Sequence, residues 1–198
     1  MKRLLILLVL FFAGSAFATD YLIEDGDDFG ELDLLDYDTL LMTGGTGHDL
    51  NIGGWSTGII EDTDPLNIAE TEGGIWEIKT AAYSELTING GEFYEIVVGQ
   101  YSTMNLHGGD IFGSLMVNHT TAWVHIFGYG FNNDPFTGSP LTGFWADDTP
   151  FSINLVDSTI STYDQIIFHE IPEPATLLLL GLGGLALRKR RRRPERYY

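Results

Sequence analysis

The side chains of this chain that could do chemistry are carboxylates and imidazoles, so their spacing is the first question. The stretch GGTGHDLNI (44–52) opens with the Gly-Gly-x-Gly-x-Asp start of a nonapeptide that ligates Ca²⁺ between successive copies. It occurs once, and Asn51 stands where that pattern needs an apolar residue. The stretch EDGDDFGELD (24–33) has oxygens enough for a hard cation but lacks the EF-hand spacing and closing Glu; it reads as a solvated acidic cap. His48, His107, His119, His125 and His169 show no ligand spacing such as H-x-x-x-H. His107 and His125 are 18 apart, which suits two surface positions on one face of a repeating unit. With no Cys in the chain, thiolate catalysis, thiolate metal sites and disulfides are excluded. Paired carboxylates can hydrolyse glycosidic bonds, but abundance of Asp and Glu is not a constellation, and lyase chemistry would ask for an Arg or Lys base. The expectation is a protein with no metal, no cofactor and no catalytic residues.

What positions these groups is decided by charge and periodicity. Residues 19–171 hold 26 of the 28 acidic residues against one basic residue, Lys79, so this body carries −26 + 1 = −25. Such a field repels nucleic acid. It is nonetheless rich in Ile, Leu, Val and aromatics, which gives it the means to build a core.

Short apolar-x-apolar segments recur along the body, often with Gly-Gly after them: LNIGG from Leu50, LNIAETEGG from Leu66, LTINGGEF from Leu86, MNLHGGDI from Met104 and VHIFGYGF from Val124. Their starts are 16, 20, 18 and 20 residues apart. Alternation over so few positions predicts short strands with one buried face, and Gly-Gly permits the positive φ that ends them. Second strands, YEIVVG and GSLMVN, follow the two middle copies. A strand–turn–strand unit at this period predicts an all-β body, a right-handed parallel β-helix or solenoid of short coils, with a β-sandwich as the alternative. The inward set is expected to be Leu50, Ile52, Leu66, Ile68, Leu86, Ile88, Met104, Leu106, Val124 and Ile126. The Pro- and Gly-rich stretch 131–155 reads as a long loop that caps one end with final strands near 151–155 and 165–168, and the acidic opening 21–42 as the other cap. A Thr-x-Thr ladder of the kind an ice-binding face needs does not form, because Thr87 is followed by Asn105 and His125 at the equivalent positions.

The two ends of the chain differ from the body. Lys2 and Arg3, an apolar run over 4–12 and the Ala16-Phe17-Ala18 site predict a signal peptide over 1–18, removed by signal peptidase. At the other end Pro172-Glu173-Pro174-Ala175-Thr176 leads into LLLLGLGGLAL (177–187) and then Arg188, Lys189, Arg190, Arg191, Arg192 and Arg193. The prolines fix an extended, solvated peptide around Glu173. Eleven helical residues would cover about 17 Å, short of the roughly 30 Å of hydrocarbon, and six successive cations make a cytoplasmic stop. This three-part arrangement resembles the PEP-CTERM protein-sorting tail of Gram-negative bacteria, a tail also named for ice-binding proteins. The resemblance covers 172–193, leaving 19–171 as ectodomain and 194–198 as a cytoplasmic end. It implies an exported protein held transiently in the inner membrane by a short helix, processed by an exosortase at the Pro-Glu-Pro motif, and delivered to the cell surface or exopolysaccharide matrix. The expectation is a non-catalytic surface or matrix protein, with a carbohydrate-binding or polysaccharide-degrading β-helix module as the alternative. Exopolysaccharide is the candidate partner of the body, and nucleic acid is excluded.

Overall fold

The computed structural model describes residues 18–66, 73–132 and 140–172. The sorting-tail residues from Glu173 onward, the signal-peptide residues 1–17 including Ala16, and Ile68 lie outside the described residues. Among those described, the regular structure is strand apart from one 3₁₀ turn at Tyr163–Gln165, and no helix is long and apolar enough to cross a membrane.

The strands form two sheets. The first holds β1 (Asp20–Ile23), β3 (Thr39–Met42), β5 (Thr57–Ile60), β7 (Glu85–Ile88), β9 (Thr103–Leu106) and β11 (Trp123–Asn132) in that order, followed by β12 (Leu141–Phe144) and β13 (Pro150–Ile153), with β15 (Ile166–Glu170) also paired to β11. The second holds β2 (Glu31–Leu34), β4 (Gly47–Ile52), β6 (Ile75–Thr80), β8 (Glu92–Val98), β10 (Asp110–Val117) and β14 (Leu155–Asp157). From β1 to β11 the chain therefore alternates between sheets, and each strand pairs in parallel with the strand two places on. A parallel pair needs a crossover, and here the crossover is itself a strand of the other sheet. Antiparallel pairing is confined to β11–β12–β13.

Register explains how few residue types suffice. Thr39 pairs with Thr57, and Glu85 with Thr103, each 18 residues on; the step from Thr57 to Glu85 is 28. In-register parallel pairing puts equivalent side chains in columns, and alternation along each strand sends every second one inward. On the first sheet the inner columns are Leu40–Gly58–Leu86–Met104–Val124–Ile166 and Met42–Ile60–Ile88–Leu106–Ile126; on the second, Leu50–Ile78–Ile96–Leu115 and Leu34–Ile52–Thr80–Val98–Val117. The apolar members fuse into one buried cluster. Gly91 and Gly109, at φ of 100° and 96°, turn the chain between sheets, and a Cβ on either would stand 2.9 Å from Thr63 Cγ2 or 3.0 Å from Phe93 Cε2, which is why no side chain serves there.

Eight of the ten residues expected inward are buried; Leu66 is half-buried and lies outside any strand. The Leu66 copy is a false repeat. Leu50 pairs with Ile78, and residues 61–74 lengthen the connection from β5 to β6 by ten residues, so one 28-residue step has the look of two shorter ones in the sequence. The LNIGG segment also belongs to the second sheet, whereas the segments from Leu86, Met104 and Val124 belong to the first. The acidic opening is no separate cap: it supplies β1, β2 and β3 of the same ladders. Within the expected loop 131–155, β12 pairs with β11 and β13, burying Leu141, Trp145, Phe151 and Ile153, and the Trp145 indole N–H donates to the Gly109 carbonyl at 3.2 Å.

Just before β5, β7 and β9 the chain buries a serine: Ser56, Ser84 and Ser102. Ser102 donates to the Gly99 carbonyl at 2.6 Å and pairs with Thr80 Oγ1 at 2.9 Å. The Ser56 and Ser84 hydroxyls are buried without a partner, which costs desolvation with nothing returned. Chemical denaturation should therefore show Ser56→Ala and Ser84→Ala neutral or stabilising by up to about 1 kcal/mol, and Ser102→Ala destabilising by about 1 kcal/mol.

Candidate functional site

The turns that precede β3, β5, β7 and β9 each carry one outward aromatic residue: Tyr37, Trp55, Tyr83 and Tyr101. Each is about half exposed. Ring centroids are 6.4 Å apart for Tyr37–Trp55, 4.5 Å for Trp55–Tyr83 and 4.8 Å for Tyr83–Tyr101, with planes within 9°. His119 closes the line at 6.1 Å from Tyr101, tilted by 43°. Tyr37, Tyr83 and Tyr101 take φ of 80°, 67° and 59°, a strained choice for aromatic residues that stacking offsets. The sequence carried this signal in Tyr37-Asp-Thr, Trp55-Ser-Thr, Tyr83-Ser-Glu and Tyr101-Ser-Thr, spaced 18, 28 and 18. The apolar-x-apolar alternation of the strands does not report it. The rings turn their faces to one another and present edges to solvent, so this ladder is first a clamp on the turns.

A hydrogen-bond relay fixes the last step. The Tyr101 N–H donates to Thr121 Oγ1 at 2.9 Å, and that hydroxyl stands 2.8 Å from His119 Nδ1. The Thr121 N–H also points to His119 Nδ1 at 3.3 Å. Accepting from the Thr121 N–H makes Nδ1 the acceptor, which assigns the proton of a neutral ring to Nε2.

Two further stacks lie elsewhere on the outside. His48, Trp76 and Tyr94 line up on β4, β6 and β8, with Trp76–Tyr94 at 4.2 Å. Phe112, beyond Tyr94, sits where β8–β10 register slips by one residue. On the first sheet His107, Phe127 and His169 stack at 4.0 and 4.3 Å, and His125 Nδ1 meets His169 Nε2 at 2.7 Å. His107 and His125 do share an outer face, but they are not equivalent positions: Asn105 is the residue paired with His125, and Thr87 the one paired with Asn105. Burial and the facing His169 hold the His107 and His125 pKa values below the usual histidine range, with Glu85 opposing this for His125.

The sequence-level cation candidates are otherwise engaged. The Asp27 carboxylate accepts from the Glu24 N–H, Asp28 from the Gly30 N–H, and Asp64 from the Gly26 and Gly45 N–H groups; these acids close turns. Asp49, from the nonapeptide-like stretch, lies in β4 beside His48 at 3.1 Å and in a column with Glu31, Glu77 and Glu95. Among the described residues no group of three or more His, Asp or Glu is arranged to hold a metal. Lys79 pairs with Glu77 at 2.6 Å, which raises its pKa.

An open groove of about 570 Å³ runs beside the aromatic ladder, with Lys79, Val97, Gln100, Asn118, His119 and Thr159 among its lining. At the carboxyl end, β15 finishes at Glu170, and the Ile171 N–H donates to the Gly128 carbonyl at 2.8 Å. Pro172 follows, exposed, as is Ala18 at the other end. The family model of the PEP-CTERM protein-sorting motif matches residues 170–193. The chain carries a PEP-CTERM sorting motif. That motif implies an exported protein sorted through the membrane to the cell surface by an exosortase. No curated protein and no solved structure matches the chain. The matched stretch thus begins on the last residue of β15 and runs on through Ile171 and Pro172, while Glu173, Pro174, Ala175, Thr176 and the cluster from Arg188 to Arg193 lie outside the described residues.

Two outcomes follow from the outer rings. Tyr83 stacks on both sides and Tyr37 on one looser side, so Tyr83→Ala should cost about 1–2 kcal/mol in denaturation and Tyr37→Ala less than 1 kcal/mol. Because the folded His107 and His125 favour the neutral form, their stability contribution is complete above the unfolded histidine pKa and is lost as pH falls through the lower folded values. The melting temperature should drop more between pH 8 and pH 5 in the wild type than in a His107→Gln/His125→Gln variant.

Proposed function

We propose that this is a non-catalytic protein of the cell surface or exopolysaccharide matrix of a Gram-negative bacterium, with a β-solenoid body delivered by its tail. The observation that carries the reading is the PEP-CTERM motif beginning at Glu170, the last residue of β15, so that the body's last strand ends where the motif starts. Two parallel ladders linked strand by strand support a solenoid, of the right hand that such connections adopt. Signal peptidase acts after Ala18, and the chain is held briefly in the inner membrane by the apolar stretch 177–187. Arg188 to Arg193 stay cytoplasmic until the exosortase acts at Pro172 to Thr176. The charge contrast supports this orientation: −25 on 19–171 against six adjacent cations. The second reading, a carbohydrate-binding module, is favoured over a hydrolytic one by the outward aromatic ladder. In cells that export the protein, Glu173→Ala or deletion of 188–193 should leave a longer, membrane-held precursor, seen by immunoblotting of fractions. A surface form that still contains the Arg cluster would show the tail to be a permanent anchor.

A further inference from the structure

We infer that the groove beside the aromatic ladder is a binding track for an uncharged polysaccharide chain. This deepens the surface-protein reading, on which it rests, by naming what the body holds. The first ground is composition. The body carries 26 carboxylates and one Lys or Arg, yet no carboxylate lines the groove and that one cation does. Lys79 is engaged by Glu77, so the groove offers no unpaired ammonium to select an anionic sugar. An anionic polymer would meet the surrounding −25 before it met this groove.

The second ground is the pattern of contacts on offer. The groove has an apolar floor at Val97, Ala81 and Gly99, and a rim of amides and hydroxyls at Gln100, Asn118 and Thr159. The rim side chains are exposed and make no hydrogen bond with the described residues. A sugar ring has the matching character, with C–H groups on its faces and hydroxyls around its edge, and sites of this kind combine apolar lining with few placed polar groups. His119 also lines the groove, with its Nδ1 already engaged by Thr121, whose hydroxyl accepts from the Tyr101 N–H.

The third ground is continuity. Gln100 precedes Tyr101, and His119 both lines the groove and ends the ring stack. The line of ring edges from Tyr37 to Tyr101 therefore runs up to the groove. Ring faces are spent on one another, but each ring is about half exposed, and aromatic residues with a polar tip are favoured where one side is wet. Such a line suits a polymer better than a single sugar.

The test uses the full chain in detergent micelles, run in affinity electrophoresis gels containing soluble neutral glucan, xylan or mannan, with a polyuronate gel as the anionic control. At least one neutral polysaccharide should retard the wild type and the polyuronate should not. Gln100→Ala/Asn118→Ala, which removes rim groups without internal partners, and Thr159→Trp, which fills the groove, should each weaken retardation at least tenfold with the melting temperature unchanged. Absence of retardation by every neutral polysaccharide, equal retardation by the polyuronate, or wild-type retardation of both variants overturns the proposal. Processing of the tail in cells is scored separately on the same variants. Normal processing with no glycan binding removes the groove and leaves the sorting reading standing; binding with no processing does the reverse.

Discussion

The structure depends on parallel strands kept in register from one step to the next. A parallel ladder puts each residue beside its counterpart, so whatever the sequence places at one position is repeated down a column. Apolar columns then become a continuous core, and aromatic columns become stacks. The same rule is unforgiving toward charge: Glu31, Asp49, Glu77 and Glu95 form a column of like charges that strand geometry will not separate. That column lies on the outer face, with Glu31 exposed and Asp49, Glu77 and Glu95 half-buried, and it is relieved where Lys79 stands next to Glu77.

Irregularities are placed where the columns can absorb them. The ten extra residues between β5 and β6 leave the pairing of Thr57 with Glu85 and of Leu50 with Ile78 intact, because both sheets take the same enlarged step. The slip after Ile111 shifts β10 by one residue against β8, yet Leu115 and Val117 still point inward beside Ile96 and Val98. At the far end, β12 and β13 abandon the parallel rule and fold Trp145 and Phe151 against the core. A change of pairing direction there breaks the templating of a further parallel strand along that part of the edge.

The sequence displayed the strands that obey period two and concealed those whose meaning depends on a partner. Leu86, Ile88, Met104 and Leu106 were legible as a buried face because alternation is a local property. Leu66 was misread for the same reason: its neighbours alternate, but nothing local reveals that it lies in an enlarged connection. Tyr37, Trp55, Tyr83 and Tyr101 were visible as letters, yet their stacking is a property of register, which emerges only once the 28-residue step is known. The groove was illegible altogether, since Lys79, Gln100, Asn118 and Thr159 come from four separate turns or strand ends. The sorting motif, by contrast, is a linear string of residue types, legible without any knowledge of strand partners.

The junction between β15 and the motif also sets a standoff distance. Ile171 is still tied to Gly128, and an extended chain advances at most about 3.6 Å per residue, so each motif residue past Ile171 can add no more than that to the reach from the last anchored backbone group. Any enzyme that grips the Pro-Glu-Pro segment must work in the lee of the folded body or fray β15 to gain slack. The mechanical resistance of that one strand, held by its edge to β11, thereby becomes part of what the processing enzyme has to overcome.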